Sequence, residues 1–299
     1  MVASEYSGDD EDGTKASQEA RYGGANMVFL VGSPRSGTTW LQSLLASNPK
    51  VRSGVESYVF SWYLAPLVKR WKKEMKALSD RDERLGLKSY FTEREFVSLL
   101  LDYLKPMVGE LKEGEIFLEK TPDHAFCMKE INYLLPKAKF IHIVRDGREV
   151  ASSLLGVSKT WGPNWAPSSP REAAKLWADH VKAVRRDSNL IPKDQFYEVR
   201  YEALRDSTYE TLQAISRDFL RLDWPDDEIR NAISGNSLTA EKEKRARLSI
   251  AGETAERLHQ SYTTNPEIAP SSNGRRLTPY QRFLVWLTVR GTLKDLGYR

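Results

Sequence analysis

Short apolar runs alternate along this chain with segments in which apolar residues recur three and four positions apart. The runs predict buried β-strands at Met27–Val31, Glu115–Leu118, Lys139–Val144 and Gln195–Val199. The segments after them predict helices at Thr38–Ser47, His124–Leu135, Arg148–Leu155 and Glu202–Leu220. Strands and helices that alternate in this way are typical of an α/β fold, with a parallel central sheet flanked by crossover helices.

Three further segments complete this picture. Residues 54–112 are rich in aromatic and basic residues at helical spacing, which predicts a helical insertion that lies over the sheet. The segment Gly156–Pro170 contains Trp161, Trp165 and three prolines, so it is predicted to be a loop at the rim of a site. The last amphipathic segment, Pro279–Leu296, predicts a helix that closes the domain.

Length and charge divide the chain into a tail and one domain. The first 26 of its 299 residues hold six acidic side chains against two basic ones, which predicts a disordered acidic tail. Residues 27–299 are expected to form a single domain around one core. They carry a modest basic excess, because the whole chain has a net charge of +4. That excess suits an anionic ligand and is too diffuse to predict nucleic-acid binding.

The sequence gives no sign of a metal site or of a membrane anchor. Its one cysteine, Cys127, cannot form an internal disulfide, and its four histidines fall at no metal-ligand spacing. No apolar run approaches the roughly 20 residues that a membrane-spanning helix needs, and the N-terminus lacks a secretory signal pattern. We therefore predict a cytoplasmic protein without a metal ion or an integral membrane segment. The oligomeric state cannot be read from the sequence.

The first chemical motif is the stretch GSPRSGTTW at residues 32–40, between the first predicted strand and the first helix. Its spacing matches the phosphate-binding loop GxxxxGK[ST], except that Thr38 stands in place of the lysine. That lysine binds the terminal phosphates of a nucleoside triphosphate, so its absence disfavours ordinary ATP or GTP chemistry. The cation lies instead within the loop, at Arg35. A divergent P-loop kinase or nucleotide-binding protein remains an alternative.

The second motif joins the strand Lys139–Val144 to the helix that follows it. Arg145 stands at the carboxyl end of the strand, and Ser153 follows eight residues later. Open α/β sheets place ligands at the carboxyl ends of their strands, where a guanidinium and a hydroxyl can converge on one phosphate.

Together these motifs resemble those of sulfotransferases that use 3′-phosphoadenosine 5′-phosphosulfate (PAPS), which have a P-loop NTPase-like fold. The resemblance implies that Arg35 contacts the 5′-phosphosulfate and that Arg145 and Ser153 bind the 3′-phosphate. It implies further nucleotide contacts from the loop, from the YE motif near residue 201 and from a late basic segment, at Ser36, Gly37, Thr38, Thr39, Trp40, Tyr201, Gly274, Arg275 and Arg276.

A third motif, Glu119-Lys120-Thr121-Pro122, resembles the EKTP segment of bacterial and carbohydrate sulfotransferases. The resemblance implies that Glu119 is the catalytic base and that Lys120 stabilises the transferred group. His124 is the alternative base or a residue that orients the acceptor, because small-molecule relatives use a histidine after the corresponding strand. Thr121 is also expected to cap the following helix.

The resemblance implies transfer of a sulfuryl group from PAPS to a hydroxyl of a small organic acceptor, with release of 3′-phosphoadenosine 5′-phosphate (PAP). A carbohydrate or glycolipid acceptor is the alternative. No metal ion is required by this chemistry, because backbone amides and side-chain cations supply the positive field. The insertion at 54–112 is then expected to be a lid over the acceptor.

Overall fold

A five-stranded, all-parallel sheet forms the centre of the computed structural model, which describes residues 23–78, 86–236 and 277–298. The strands are β1 (Met27–Val31), β2 (Val51–Ser53), β3 (Ile116–Lys120), β4 (Lys139–Val144) and β5 (Phe196–Arg200). They lie in the order β2-β3-β1-β4-β5, and each neighbouring pair is parallel. The predicted parallel α/β fold is confirmed. The carboxyl ends of β1, β3 and β4, which carry the three motifs, meet at one edge of the sheet.

Side chains of β1 alternate between two buried clusters because successive residues of a strand point to opposite faces. Val28 and Leu30 pack with Leu41 and Leu44 of helix α1 (Thr38–Leu45). Phe29 lies in the other cluster. The sheet is therefore covered on both faces, as a parallel sheet requires.

The insertion supplies much of the second cluster, including Phe60, Trp71 and Phe96. The described residues of the insertion form a π-helical turn at Val59–Leu64, a 3-10 turn at Leu87–Ser89, and the helices α2 (Ala65–Leu78), α3 (Glu93–Asp102) and α4 (Lys105–Val108). Trp71 and Phe96 stack with ring centroids 4.3 Å apart. The predicted helical content of this region is present, and part of it belongs to the core. Its role as a lid stays a prediction.

The remaining helical elements follow the later strands. They are a 3-10 turn at Pro122–Phe126, α5 (Met128–Leu134), α6 (Gly147–Ser158), α7 (Pro170–Ser188), a 3-10 turn at Lys193–Gln195, α8 (Tyr201–Asp206), α9 (Thr208–Gln213), a π-helical segment at Ala214–Leu220, α10 (Asp226–Gly235) and α11 (Pro279–Asp295). A third buried cluster joins α6, α7 and α11.

Several element boundaries differ from the sequence predictions. Strand β2 was not predicted, because it has only three residues and one of them, Arg52, is exposed. The helix predicted at Glu202–Leu220 is divided into α8, α9 and a π-helical segment. Helix α7 was also not predicted, although Trp177, Val181 and Val184 recur at helical spacing on its buried face and Ser169 caps its N-terminus. The loop predicted at Gly156–Pro170 is helical as far as Ser158.

Most of the predicted acidic tail and the predicted basic ligands near residue 275 lie outside the residues that the structure describes. Residues 1–22 of the predicted tail and the predicted ligands Gly274, Arg275 and Arg276 lie outside the described residues. The last residues before β1 already contact the domain, since Lys137 N donates a hydrogen bond to Gly23 O at 2.7 Å.

Within the described ranges, no helix has the length and apolar composition to cross a membrane. No group of three or more His, Cys, Asp or Glu side chains in the same ranges is arranged to hold a metal ion.

Candidate active site

The loop from β1 to α1 contains three residues with positive φ. Gly32 has φ 152°, Arg35 has φ 70° and Gly37 has φ 99°. A Cβ atom on Gly37 would lie 2.5 Å from Tyr201 Cδ2, so this position requires glycine for both its backbone angle and the close approach of Tyr201. Gly37 is also the N-cap residue of α1. It has no side chain to bind the N–H groups of the first turn, which therefore present the positive end of the helix dipole.

The hydroxyl group of Ser36 lies inside this loop. The residue is 1% exposed, and its Oγ has no hydrogen-bond partner in the described part of the chain. Thr38 is also buried, while Thr39 is partly buried. A buried donor without a partner is costly, and an anion at a helix N-terminus would accept its hydrogen bond. The residues of this loop therefore fit the phosphate group that the sequence predicts.

We expect Ser36→Ala to weaken PAP binding by about 1 kcal/mol, or roughly fivefold, without lowering the free energy of unfolding. The reason is that the unliganded protein loses no hydrogen bond when this hydroxyl is removed. Calorimetric titration with PAP and urea denaturation would measure the two quantities. Ser234→Ala is the matched control, because Ser234 Oγ donates to Arg230 O in α10, outside the loop. A variant with lower stability and unchanged PAP affinity would contradict this assignment.

Arg35 connects the loop to helix α6. Its Nε donates to Ser153 Oγ at 3.1 Å, and its guanidinium lies 5.9 Å from the ring centre of Trp161. Burial, followed by the charge of Arg145, lowers the pKa of Arg35 to about 10. Arg35 thus remains charged at neutral pH, and the neighbouring cation makes the site favourable for an anion.

Arg145 follows the carboxyl end of β4, as predicted. Its guanidinium lies 4.3 Å from the ring centre of Tyr201, and its Nη1 donates to Arg35 O at 3.3 Å. The neighbouring Asp146 binds Arg148 instead, with 2.6 Å between Arg148 Nη2 and Asp146 Oδ2. Within the described residues, the ion pair of Arg145 is a longer one, 3.8 Å, with Glu149. Asp146 therefore does not neutralise the charge of Arg145.

Tyr201 lies among the predicted nucleotide ligands. It contacts Gly37 and Arg145, as described above, and its ring centroid is 5.9 Å from that of Trp40. The structure therefore brings together the predicted residues Arg35, Gly37, Trp40, Arg145, Ser153 and Tyr201.

Two tryptophans near this site were not assigned a role from the sequence. Trp161, which was predicted only as part of a rim, faces Arg35. Trp177 Nε1 in α7 donates to Arg145 O at 3.0 Å, and a Cβ atom on Gly147 would lie 2.5 Å from its ring. Trp177 was missed because the helix that carries it was not predicted; the signals that could have located that helix are the Ser169-Pro170 start and the apolar spacing of Trp177, Val181 and Val184.

Glu119, the predicted base, lies in β3 and is 2% exposed. Its Oε1 accepts hydrogen bonds from Ser57 Oγ and Thr121 Oγ1, both at 2.7 Å. Its Oε2 lies 2.8 Å from His124 Nδ1. Burial by itself would raise the pKa of Glu119, but His124 and the two hydroxyl donors outweigh that effect and hold the pKa below its usual value. Glu119 is therefore an ionised carboxylate whose two oxygens are both hydrogen-bonded.

His124 is fully buried beside Glu119. Its Nε2 accepts the N–H of Phe60 at 3.3 Å, so Nδ1 is the nitrogen that carries the proton and donates to Glu119. Thr121 does not cap the following 3-10 turn, contrary to the sequence prediction, because its Oγ1 accepts the N–H of Ser57 at 3.1 Å. The catalytic roles predicted for Glu119 and His124 stay predictions.

Lys120 pairs with Glu56, a carboxylate that was not predicted from the sequence. Its Nζ, which is nearly buried, forms an ion pair with Glu56 Oε1, and Glu56 Oε2 accepts a hydrogen bond from the Tyr58 hydroxyl at 3.0 Å. The Glu56 side chain is 34% exposed, compared with 2% for Glu119. Glu56 follows the carboxyl end of β2, where a ligand-binding acid is expected. The position of Glu56 after a strand could not be recognised from the sequence, because β2 was not predicted.

An aromatic pair adjoins Glu56. The rings of Tyr58 and Trp62 stack with centroids 4.2 Å apart, and Trp62 is 62% exposed. Tyr58 has φ 52° and ψ 11°, a left-handed conformation that is uncommon for a bulky residue. The exposed face of this pair can stack against an aromatic or sugar ring.

The arrangement of the loop, Arg145 and Lys120 at one edge of the sheet agrees with a family comparison. The model described as "Sulfotransferase family" matches residues 27–226, which is more than half of the chain. The chain belongs to the sulfotransferase family. This confirms the resemblance inferred from the motifs.

Among curated relatives, Protein-tyrosine sulfotransferase 1 of Danio rerio is 29% identical over 221 residues, which cover 71% of this chain and 59% of the relative. The Drosophila melanogaster protein-tyrosine sulfotransferase is 29% identical over 203 residues, which cover 67% of this chain and 39% of that protein. The chain thus spans about two to three fifths of the length of these relatives.

A solved structure has a similar fold. Mouse sulfotransferase SULT7A1, complexed with PAP, superposes with a TM-score of 0.54 at 16% identity. The superposition covers 93% of this chain and 90% of the mouse chain. The shared fold agrees with the α/β architecture, a parallel sheet flanked by helices, that the sequence predicts.

Proposed function

We propose that this chain is an O-sulfotransferase that uses PAPS as its donor and releases PAP. The observation that carries the proposal is the convergence of Arg35 and Arg145 with Ser153 beside the N-terminus of α1. PAPS has anionic groups at both its 5′ and 3′ positions, and two adjacent guanidinium groups match that pair of charges. An ordinary nucleoside triphosphate has no 3′-phosphate for Arg145 to bind.

The other proposed donor contacts follow the sequence motifs. Ser36, Thr38, Thr39 and backbone amides of the loop would hold the 5′-phosphate, and Trp40 or Tyr201 would contact the nucleoside. We keep Gly274, Arg275 and Arg276 as proposed ligands of the 3′-phosphate.

For the catalytic base we propose Glu56, with Glu119 as the alternative predicted from the sequence. Glu56 is more exposed and lies against Lys120, which was predicted to stabilise the transferred group. In the proposed reaction the carboxylate takes the proton of the acceptor hydroxyl. The acceptor oxygen then bonds to sulfur as the bond between sulfur and the bridging phosphate oxygen breaks. Lys120 and Arg35 stabilise the negative charge on the sulfuryl and bridging oxygens.

For the acceptor we propose a phenolic hydroxyl. The names of the curated relatives describe sulfation of protein tyrosine, which is a phenol. The stacked Tyr58–Trp62 pair beside Glu56 supports an aromatic acceptor. The small organic acceptor predicted from the sequence is retained in the form of a free phenol, and a carbohydrate acceptor remains the alternative.

Calorimetric titration of the protein with PAP, ADP and ATP-Mg²⁺ tests the donor. We expect PAP to bind about 10–100-fold more tightly than ADP, because only PAP has a 3′-phosphate for a charge-assisted contact with Arg145. Tighter binding of ATP-Mg²⁺ than of PAP would favour the kinase alternative and would contradict the proposal. Incubation with PAPS and either a tyrosine-containing peptide, a free phenol or a sugar would then identify the acceptor by the sulfated product.

A further inference from the structure

We propose that Glu119, Thr121 and His124 form a polar clamp that holds the backbone of residues 57–60 and thereby positions Glu56 for the acceptor. The inference rests on the proposed function, because it concerns how that reaction's carboxylate is held. Its members act through other residues and are positioning residues. This differs from the direct catalytic role that the sequence predicts for Glu119 and His124.

Four consecutive backbone N–H groups, those of residues 57–60, are bound by the clamp or by the Ser57 hydroxyl that it holds. Thr121 Oγ1 accepts the N–H of Ser57 at 3.1 Å and that of Tyr58 at 3.5 Å. The N–H of Val59 donates to Ser57 Oγ at 3.2 Å, and Ser57 Oγ itself donates to Glu119. The N–H of Phe60 donates to His124 Nε2 at 3.3 Å. Every one of these four donors is therefore bound by a side chain: three directly by clamp residues, and the fourth by the Ser57 hydroxyl, which the clamp orients.

The backbone conformation of Tyr58 explains why such a clamp is needed. A left-handed conformation is unfavourable for a bulky side chain and persists only where surrounding contacts impose it. The first N–H groups of a helical turn also have no partners within the turn itself. The clamp supplies these partners from β3 and the turn that follows it, and so fixes the direction in which the chain leaves β2.

Burial and hydrogen bonding separate the clamp from the reacting groups. Glu119 is 2% exposed, while Thr121 and His124 are fully buried. Both oxygens of Glu119 accept hydrogen bonds, and both ring nitrogens of His124 are engaged. Glu56, one residue before the clamped segment, is partly exposed and is held by the Tyr58 hydroxyl. The clamp thus fixes the residues that hold Glu56, while Glu56 itself faces the site.

The three donors to Glu119 require a carboxylate. The hydroxyls of Ser57 and Thr121 and the N–H of His124 all point towards its two oxygens. A glutamine at this position has only one acceptor oxygen, so at least one of these donors would face an NH₂ group. Glu119→Gln should therefore loosen the clamp as well as remove the charge.

Thr121 offers the sharpest test, because valine keeps its shape and removes the hydroxyl while serine keeps the hydroxyl. We expect Thr121→Val to lower kcat by about 10–100-fold, as for a misplaced catalytic group, with unchanged PAP affinity. Hydrogen exchange measured by mass spectrometry should be faster for the amides of residues 57–60. Thr121→Ser should restore most of kcat and of the protection from exchange. Thr288→Val is the matched control, because Thr288 Oγ1 donates to Leu284 O on the exposed side of α11.

Three results would overturn the clamp. One is wild-type exchange at residues 57–60 in Thr121→Val, and another is an equal loss of kcat in Thr121→Ser. The third is a pH profile of kcat whose acidic limb disappears in Glu119→Gln and persists in Glu56→Gln, because that would make Glu119 the base. The exchange measurement requires neither donor nor acceptor. It therefore tests the clamp even if the wild-type protein does not bind PAP, a result that would refute the proposed function alone.

Discussion

Glu56→Gln is expected to lower kcat by about 10²–10⁴-fold, the usual contribution of a general base, while PAP affinity stays unchanged. The amide keeps the size of the side chain and its hydrogen bond from Tyr58, but it cannot take a proton from the acceptor hydroxyl. Initial rates at saturating PAPS would give kcat, and calorimetry would give the PAP affinity. The acidic limb of the pH profile should disappear in this variant.

The control for this substitution is Glu210→Gln, an exposed glutamate on α9. It should retain the wild-type kcat. Full activity of Glu56→Gln, together with inactive Glu119→Gln, would return the role of base to the residue that the sequence motif predicts. A joint loss of PAP binding and kcat in Glu56→Gln would show that the substitution disturbs the donor site through Lys120.

We expect Arg145→Ala to weaken PAP binding by about 3 kcal/mol, or roughly 150-fold, because a charge-assisted contact with the 3′-phosphate is lost. ADP affinity should change little, since ADP lacks that phosphate. Calorimetric titration of both ligands would measure the difference. Arg148→Ala is a matched control three residues along the chain, where the guanidinium is already bound to Asp146.

The two ligands together reveal what Arg145 does. An equal loss of PAP and ADP affinity would show that Arg145 acts by supporting the loop through the Arg35 carbonyl oxygen. A selective loss of PAP affinity would assign it to the 3′-phosphate. Unchanged PAP affinity would contradict the role inferred from the second motif.

The sheet and the donor side of the site could be predicted from sequence because they depend on local patterns. Apolar runs located β1, β3, β4 and β5 to within a few residues. The positions of Arg35 and Arg145 follow from the strand ends that carry them, since parallel strands present their carboxyl ends at one edge. The family resemblance rested on the same motifs, and the family comparison confirms it.

The surroundings of Glu119 could not be predicted in this way. One of its hydrogen-bond partners, Ser57, lies 62 positions away in the sequence, and no spacing rule connects the two. Glu56 was missed for a related reason, because the short strand that precedes it carries almost no apolar signal. Local patterns showed that Glu119 ends a strand next to Lys120. Only the folded chain shows that residues 57–60 cover Glu119 and leave Glu56 partly exposed.

The hydrogen bond from Arg35 Nε to Ser153 Oγ joins the two ends of the proposed nucleotide site. The residue proposed for the 5′ end thus holds one proposed for the 3′ end. Arg35 keeps its Nη donors and Ser153 keeps its hydroxyl proton for ligands, so a phosphate bound at one end also orders the residue proposed for the other end. We therefore expect the binding free energies of separate 5′- and 3′-fragments to be non-additive, which favours inhibitors that span both ends over those that fill one.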